Sequence, residues 1–264
     1  MKDLRICVSG ACGKMGSEVV RAIAKSEGVI LAGAVDRIHV GESIGRVCGT
    51  TDEILVAEDL GKVLDQGGID VVVDFTNHRS IYENSKAILS RGIPAVIGTT
   101  GLKAEEVDEL KDLCEKKGIG ALWATNFAIG AILMMEFAGK AAKYFQNVEI
   151  IEYHHDNKLD APSGTSLTTA GIIREIRESR QQGHPEEKEL LPGARGAEVD
   201  GFRIHSVRLP GFVAHQEVIF GDLGQILTIR HDSMNRESFM PGVILACKEI
   251  VKRKGFIEGL NQLL

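Results

Sequence analysis

The first half of the chain alternates between short, continuous apolar runs and segments with helical spacing. The apolar runs, rich in β-branched residues, are Leu4–Ser9, Val29–Val35, Val71–Phe75, Pro94–Ile97 and Gly120–Ala124. The helical segments are Met15–Lys25, Ser80–Arg91 and Ala104–Lys117. Apolar runs of about four to eight residues suit strands buried on both faces, and intervening helices imply that those strands are parallel. This half is therefore predicted to be a doubly wound, Rossmann-type α/β domain.

The pattern changes after Asn126. Helices are predicted over Ala128–Phe145 and Ser163–Glu178, and strands over Val148–His154, Arg203–Leu209, His215–Phe220 and Leu223–His231. Because the last three strands follow one another without helices, we expect an antiparallel or mixed sheet, and hence an α+β domain over residues 127–235. The last helix, predicted over Phe239–Arg253, is expected to return to the first domain, which then comprises residues 1–126 and 236–264.

A glycine-rich loop follows the first strand directly. Gly10, Gly13 and Gly16 have GxxGxxG spacing and lead into the first helix. A dinucleotide pyrophosphate needs close approach to the N–H groups at a helix N-terminus, which side chains would block. Glycines also end strands for conformational reasons alone, so a structural turn is the alternative. The flanking strand and helix, together with Asp36 about 20 residues past the last glycine, favour dinucleotide binding.

Asp36 and Arg37 end the second predicted strand. An acid at this position accepts hydrogen bonds from the adenosine ribose hydroxyls of NAD, whereas a neighbouring guanidinium can hold the 2′-phosphate of NADP. A solvated surface arginine is an equally good explanation of Arg37. The sequence thus predicts NADH, NADPH or both as cofactor.

Two further loops lie at the ends of predicted parallel strands, where open α/β sheets bind ligands. They are GTTG, of which Gly98, Thr99 and Thr100 are candidate cofactor contacts, and ATNF, which comprises Ala124, Thr125, Asn126 and Phe127. Both are predicted to flank the nicotinamide. A plain strand-to-helix turn is the alternative for GTTG.

The segment EYHHDNKLDAPSGT, residues 152–165, is the richest in chemistry. His154, His155 and Lys158 place up to three positive charges in a short span, and the Ser-Gly-Thr end opens a helix whose first N–H groups attract anions. This pattern predicts a carboxylate site with candidate proton donors. Asp160 is either a salt-bridge partner of Lys158 or a turn residue. Zinc binding by the histidines lacks a third ligand at a familiar spacing, so no metal is predicted.

Composition narrows the class of protein further. A net charge of −6 and a pI near 5.8 argue against nucleic-acid binding. Five cysteines, an odd number without CxxC spacing, suit a reducing compartment. No apolar stretch approaches the roughly 20 residues of a membrane span, and the N-terminus lacks a signal-peptide pattern. We expect a cytoplasmic protein with neither nucleic acid nor membrane as partner.

Four motifs together resemble the 4-hydroxy-tetrahydrodipicolinate reductase family, also called dihydrodipicolinate reductases. They are GACGKMG at 10–16, GTTG at 98–101, ATNFAIG at 124–130 and, most specifically, EYHHDNKLDAPSGT at 152–165. The resemblance implies reduction of a cyclic dicarboxylate to tetrahydrodipicolinate with NADH or NADPH, in lysine and diaminopimelate biosynthesis. It also implies a homotetramer, with residues 127–235 as the substrate-binding and oligomerisation domain.

The resemblance assigns a role to each motif. It implies a proton donor or acceptor at His154, a proton donor at Lys158, and substrate-carboxylate contacts at His155, Gly164 and Thr165. The pyrophosphate would lie on Gly10, Ala11, Cys12, Gly13, Lys14 and Met15. Asp36 would bind the adenosine ribose. Lys14 stands where the family commonly has arginine, which keeps the charge but loses the planar fork.

Two competing functions remain. Another amino-acid-pathway dehydrogenase, acting on aspartate semialdehyde or homoserine, would share the nucleotide-binding half. The semialdehyde enzyme would need a reactive cysteine at a helix start, and none of the five has that context clearly. A protein that senses NAD(P)H without turnover would not need the His-His-Lys cluster.

Overall fold

The computed structural model describes residues 2–264 and divides the chain into two compact units. One comprises the chain up to Ala128 together with Arg236–Leu264, and the other is Ile129–Asn235. The division lies within two residues of the boundaries predicted after residue 126 and before residue 236. The binding functions assigned to the two units stay predictions.

The first unit is built on a parallel sheet with the strand order β12-β6-β5-β4-β1-β2-β3. With strands numbered in chain order through both units, its members are β1 (Leu4–Ser9), β2 (Val29–Val35), β3 (Val56–Ala57), β4 (Val71–Asp74), β5 (Ala95–Ile97), β6 (Gly120–Trp123) and, after β7–β11 of the second unit, β12 (Gly255–Glu258). Its helices are α1 (Gly16–Lys25), α2 (Ile44–Cys48), α3 (Leu60–Asp65), α4 (Ile81–Ser90), α5 (Ala104–Lys117) and, following α6 and α7 of the second unit, α8 (Met240–Ile250). The predicted doubly wound α/β fold is confirmed.

The strand order positions the functional loops of this unit. β1 pairs with β2 on one side and with β4 on the other, so the chain direction across the sheet reverses at β1. Such a switch point opens a crevice at the carboxyl ends of the strands. The strands read as continuous apolar runs because both faces are covered: Val71, Val72 and Val73 are fully buried.

The second unit is a mixed sheet with the order β11-β10-β7-β9-β8. Its elements are α6 (Ile129–Ala142), β7 (Asn147–His154), α7 (Gly164–Ile176), β8 (Ala197–Val199), β9 (Phe202–Arg208), β10 (Ala214–Asp222) and β11 (Gln225–Ser233). β7 runs parallel to β9 and antiparallel to β10, which confirms the mixed sheet. Alternate residues such as Ile150 and Val218 face a core shared with α6 and α7. The intervening residues form an open face.

Several elements differ from the sequence prediction. The helix predicted over 128–145 ends at Ala142. Between the strand predicted to end at His231 and the helix predicted to begin at Phe239, the structure has the end of β11 and the start of a 3₁₀ turn at Arg236–Phe239. Strands β3, β8 and β12 were not predicted, because β3 has only two residues and β8 and β12 each include an exposed glutamate, so none is a continuous buried apolar run like β4 or β5. No helix within residues 2–264 is long and apolar enough to cross a membrane.

Candidate active site

The glycine loop has no space for side chains at two of its three glycines. Gly10 adopts φ +79°, and a Cβ there would lie 2.6 Å from the carbonyl oxygen of Phe75. A Cβ on Gly16 would lie 1.9 Å from the carbonyl oxygen of Gly10. Close approach of backbone segments therefore requires glycine, and the loop leads directly into the N-terminus of α1, the end of a helix that attracts anions.

Asp36 is anchored at the end of β2 by main-chain donors. Its Oδ2 accepts a hydrogen bond from the N–H of Cys12 at 2.9 Å, and its Oδ1 accepts from the N–H groups of Arg37 at 2.7 Å and Ile38 at 3.2 Å. The carboxylate thus ties the glycine loop to the end of the second strand. The Arg37 side chain is exposed beside it.

These residues line one cleft of about 290 Å³. Gly10, Gly13, Asp36 and Arg37, which the sequence selects as candidate cofactor contacts, lie along it. A dinucleotide requires glycines that let its pyrophosphate approach the backbone, a helix N-terminus, and an acid at the end of the second strand. All three features are present here. The residues present fit an NAD(P) cofactor.

The Gly98–Thr100 loop is held by its neighbours. A Cβ on Gly98 would lie 2.1 Å from the ring of Phe75. The Thr99 hydroxyl is buried and donates to Oδ1 of Asp74 at 3.1 Å, while the Thr99 carbonyl accepts from the indole N–H of Trp123 at 2.9 Å. The Thr99 side chain is therefore committed to the fold, whereas Thr100 is exposed.

The Ala124–Phe127 loop lies one strand further along the same edge. Ala124 and Phe127 are buried, and the Phe127 ring packs edge-on against Phe75 with centroids 5.7 Å apart. Thr125 is exposed and Asn126 is half-buried. Any contact of Ala124 or Phe127 with a cofactor would therefore be made by their main chain.

Sequence reasoning missed the last residue of β4 and the two residues that follow it. Asp74 is fully buried and accepts hydrogen bonds from Thr76, Asn84 and Thr99. Phe75 and Thr76 line the same cleft as the glycine loop. The signal was available, because β4 ends at the same sheet edge as the strands whose loops were selected.

The cysteines are not activated. Burial raises the pKa of Cys7 and Cys247 to about 12 and that of Cys114 to about 11. Burial and the charge of Asp36 raise the pKa of Cys12 to about 11, and burial also raises the pKa of Cys48. A catalytic thiolate needs the opposite shift, so the semialdehyde dehydrogenase alternative loses its nucleophile.

In the second unit, three side chains meet at the carboxyl end of β7. Glu152 and His154 are two residues apart on one strand and point to the same face, while Arg208 on β9 is the register partner of His154. The carboxylate of Glu152 contacts His154 through Oε2 and Nδ1, and its Oε1 accepts a 2.7 Å hydrogen bond from Arg208. The Glu152 side chain is fully buried.

Glu152 is ionised in this environment. Burial raises its pKa, but the contacts with His154, Arg208 and Ser206 outweigh burial and lower the pKa to about 2. A buried carboxylate with this many donors keeps its charge. A fixed negative charge therefore lies against the imidazole of His154.

Lys158 is held by the acid two residues away. Its Nζ lies 2.7 and 2.8 Å from the two carboxylate oxygens of Asp160, and this hydrogen bond lowers the pKa of the Asp160 carboxyl. The predicted salt bridge between these residues is therefore present. The Asp160 carbonyl accepts a 2.8 Å hydrogen bond from Arg208, which also binds Glu152.

The start of α7 is capped and open. Ser163 accepts a hydrogen bond from the N–H of Ser166 at 3.2 Å, and the Ser166 hydroxyl donates to Gln216 of β10 at 2.8 Å. Ser163, where the sequence predicts the helix to begin, is the N-cap of α7. Gly164 is exposed and Thr165 half-buried in the first turn, as is required of a site that receives an anion.

The structure brings together most, but not all, of the predicted second-unit residues. His154 and Lys158 are linked through Glu152, Arg208 and the Asp160 carbonyl. His155 is exposed. Sequence reasoning gave Arg208 no specific role, because its place beside His154 follows from strand register. Within residues 2–264, no group of three or more His, Cys, Asp or Glu side chains is arranged to hold a metal ion.

The first unit has the features of a dinucleotide-binding domain, and the second unit carries His154 and Lys158, each in contact with an acid. Together they define a two-domain, NAD(P)-dependent reductase. Family models of dihydrodipicolinate reductase match both parts, the N-terminal model over residues 4–127 and the C-terminal model over residues 130–264.

Individual relatives agree. A 4-hydroxy-tetrahydrodipicolinate reductase of Desulfitobacterium hafniense is 51% identical over 100% of both chains. One of Listeria monocytogenes is 51% identical over 99% of this chain and 100% of its own. The solved structure of a dipicolinate-bound dihydrodipicolinate reductase from Paenisporosarcina sp. TG-14 is 43% identical, with a TM-score of 0.89, over 99% of this chain and 100% of that one.

The chain belongs to the dihydrodipicolinate reductase family and is an NAD(P)H-dependent oxidoreductase. The resemblance inferred from the four motifs is confirmed, as is the use of a nicotinamide cofactor.

Proposed function

We propose that this chain reduces 4-hydroxy-tetrahydrodipicolinate to tetrahydrodipicolinate with His154 and Lys158 as its proton-transferring residues. The observation that carries this assignment is the double contact of Arg208. One guanidinium nitrogen binds both Glu152, which contacts His154, and the carbonyl of Asp160, which pairs with Lys158. The two candidate proton donors therefore share one support within the second unit.

The first unit binds the cofactor in this proposal. When bound, the reduced nicotinamide supplies the hydride. The glycine loop from Gly10 to Met15 binds the pyrophosphate. Asp36 accepts hydrogen bonds from the adenosine ribose and also from the N–H of Cys12 in the glycine loop. Arg37, exposed beside the carboxylate, provides the positive charge that the 2′-phosphate of NADPH requires.

The second unit binds the dicarboxylate. The open N-terminus of α7, with Gly164 and Thr165 in its first turn, offers N–H groups and a positive dipole end to one carboxylate. His155 and Lys158 add positive charge nearby in sequence. A dianion is attracted by this local potential in spite of the net charge of −6. The dipicolinate bound by the Paenisporosarcina relative is a ligand of this chemical class.

His154 and Lys158 then deliver the proton. Glu152 contacts the imidazole of His154 through Nδ1, and Asp160 pairs with the ammonium of Lys158. General acid catalysis of this kind contributes roughly 10²–10⁴-fold to the rate.

The test follows loss of absorbance by the reduced nicotinamide, with substrate made in situ from pyruvate and aspartate semialdehyde. Wild-type protein is expected to oxidise NADH, NADPH or both only when all components are present. Lys158→Ala should lower kcat by about 10²-fold or more with cofactor affinity nearly unchanged, whereas the exposed Lys188→Ala should match wild type. An unchanged kcat in Lys158→Ala refutes the role of Lys158 in proton transfer. If wild-type protein binds the cofactor but does not oxidise it, a protein that senses NAD(P)H without turnover is favoured instead.

The oligomer we propose is a homotetramer assembled on the open face of the second sheet. This face carries Ile151 of β7, Ile219 of β10 and Ile226 of β11, and Ile226 is 76% exposed on the edge strand. An uncovered sheet face that carries apolar residues among charged ones, next to an unpaired strand edge, is typical of a subunit interface.

We place the protein in the cytoplasm. All five cysteines are free, which suits a compartment that keeps thiols reduced. Cell fractionation with an antibody against the chain tests this location, and recovery from a secreted or periplasmic fraction contradicts it.

A further inference from the structure

The carboxylate of Glu152 sits where it controls the proton on one nitrogen of His154. Its Oε2 contacts Nδ1 of the imidazole, and the carboxylate is ionised and fully buried. The register partners of His154 across the sheet are Arg208 on β9 and Ala214 on β10, and neither side chain can accept a hydrogen bond. Oε2 of Glu152 and Nδ1 of His154 are both buried, and neither has another hydrogen-bond partner within residues 2–264, so Glu152 is the acceptor available to an Nδ1 proton.

Arg208 fixes which carboxylate oxygen faces the histidine. Its guanidinium donates to Oε1 at 2.7 Å, so Oε2 is the oxygen left for Nδ1. The same nitrogen of Arg208 donates to the Asp160 carbonyl at 2.8 Å. The carboxylate is thus held in one orientation by an arginine that is itself held by the turn after β7.

We propose that Glu152 is a positioning residue for the family reaction: oriented by Arg208, it keeps the proton of neutral His154 on Nδ1 and leaves Nε2 to carry the transferred proton. The proposal rests on the proposed function in one respect, that His154 transfers a proton. In a histidine paired in this way, the hydrogen bond at one nitrogen sets the tautomer available at the other.

Glu152→Gln separates positioning from simple filling of space. Arg208 can donate only to the amide oxygen, which therefore takes the place of Oε1 and leaves the NH₂ group facing His154. A donor opposite Nδ1 forces that nitrogen to accept, so the imidazole proton moves to Nε2. The variant should keep its volume and fold while reversing the tautomer, a change known to be severe in a catalytic triad.

The measurement is long-range ¹H–¹⁵N NMR of full-length protein with labelled histidine, at alkaline pH where imidazoles are neutral. The protein has eight histidines, and the His154 signal is identified by its absence from His154→Gln. Wild type should show the Nδ1–H tautomer and Glu152→Gln the Nε2–H tautomer. In steady-state kinetics, Glu152→Gln should lose on the order of 10²-fold in kcat with KM for NADH changed by less than about twofold.

Glu149→Gln is the matched control. Glu149 lies on the same strand and also binds an arginine and a histidine, Arg195 and His205, but on the open face. Its substitution should leave the His154 tautomer unchanged.

Three results are decisive. An Nε2–H tautomer of His154 in wild-type protein overturns the proposal. This result does not depend on any variant, so the proposal can be tested even if Glu152→Gln folds poorly. An unchanged tautomer in folded Glu152→Gln overturns it as well. If the tautomer reverses but His154→Gln keeps wild-type kcat, the positioning is correct and the proposed role of His154 in catalysis is wrong.

Discussion

The N–H of Cys12 donates a 2.9 Å hydrogen bond to the carboxylate of Asp36, 24 residues later in the chain. The acid expected to recognise the ribose therefore also holds the loop expected to bind the pyrophosphate. Loss of the charge should consequently disturb two parts of cofactor binding together.

Asp36→Asn should weaken NADH binding more than NADPH binding. The amide loses charge-assisted hydrogen bonds worth about 1.5–3 kcal/mol, or roughly tenfold or more in KM for NADH. NADPH suffers less, because the same change removes repulsion between the carboxylate and the 2′-phosphate. KM for both cofactors is compared with that of Asp65→Asn, whose acid pairs with Arg91 away from the glycine loop. Equal losses for both cofactors would contradict this reading of Asp36.

Gly16→Ala should destabilise the protein by about 3 kcal/mol, because its Cβ would lie 1.9 Å from the Gly10 carbonyl oxygen. Gly171→Ala is the matched control, since Gly171 lies inside α7 with open space around it. Alanine there should be neutral or should stabilise by up to about 1 kcal/mol. Thermal unfolding of both variants checks the difference, and similar melting temperatures would show that the loop can move aside.

Glu152 should account for part of the loss of unfolding free energy at acidic pH. Its folded pKa of about 2 lies below its usual value of 4.5, so its stabilisation is complete above about pH 4.5 and is lost as pH falls through the folded pKa. Glu152→Gln cannot titrate. Urea unfolding between pH 5 and 3 should therefore give a shallower loss of unfolding free energy for the variant than for wild type. Parallel slopes would mean that the carboxylate is not ionised in the folded protein.

Ser163→Ala should remove the cap of α7 and cost about 1 kcal/mol of unfolding free energy. Because the first turn of α7 is the proposed carboxylate site, KM for the dicarboxylate should rise as well. Ser163→Gly retains a favourable capping residue and should cost only a few tenths of a kcal/mol. If both variants bind substrate like wild type, the first turn of α7 is not the carboxylate site.

Ile226→Glu should disrupt assembly. A charge on the exposed edge strand β11 would be buried unpaired at the proposed interface. Light scattering coupled to gel filtration should show a smaller species than for wild type. The exposed Leu190, in the connection between α7 and β8, provides a control as Leu190→Glu, which should leave the mass unchanged. Equal masses for all three proteins would place the interface elsewhere.

Much of the fold followed from local pattern. The predicted and observed ranges of β2 and of α5 coincide, because one is a continuous apolar run and the other is amphipathic, with charges suited to each end. The Lys158–Asp160 pair was predicted because it spans two residues. Local spacing was enough in each case.

The parts that were missed depend on strand register. Arg208 lies 56 residues from Glu152, and only the alignment of β9 beside β7 brings them together. Periodicity sets which face a residue occupies but not which residue lies opposite. For the same reason the sequence could not show that the Thr99 hydroxyl donates a hydrogen bond to Asp74. Thr99 had been predicted to contact the cofactor.

The contacts of Arg208 make the arrangement of the proposed catalytic groups independent of the chain that connects α7 to β8. Arg208 binds the Asp160 carbonyl across 48 residues, through strand pairing and independently of the path of the exposed connection after α7. Insertions near the exposed Glu186 would leave that pairing intact. The connection is thus a tolerant site for grafting tags or fusion partners, and a segment in which lineages can diverge without altering proton transfer.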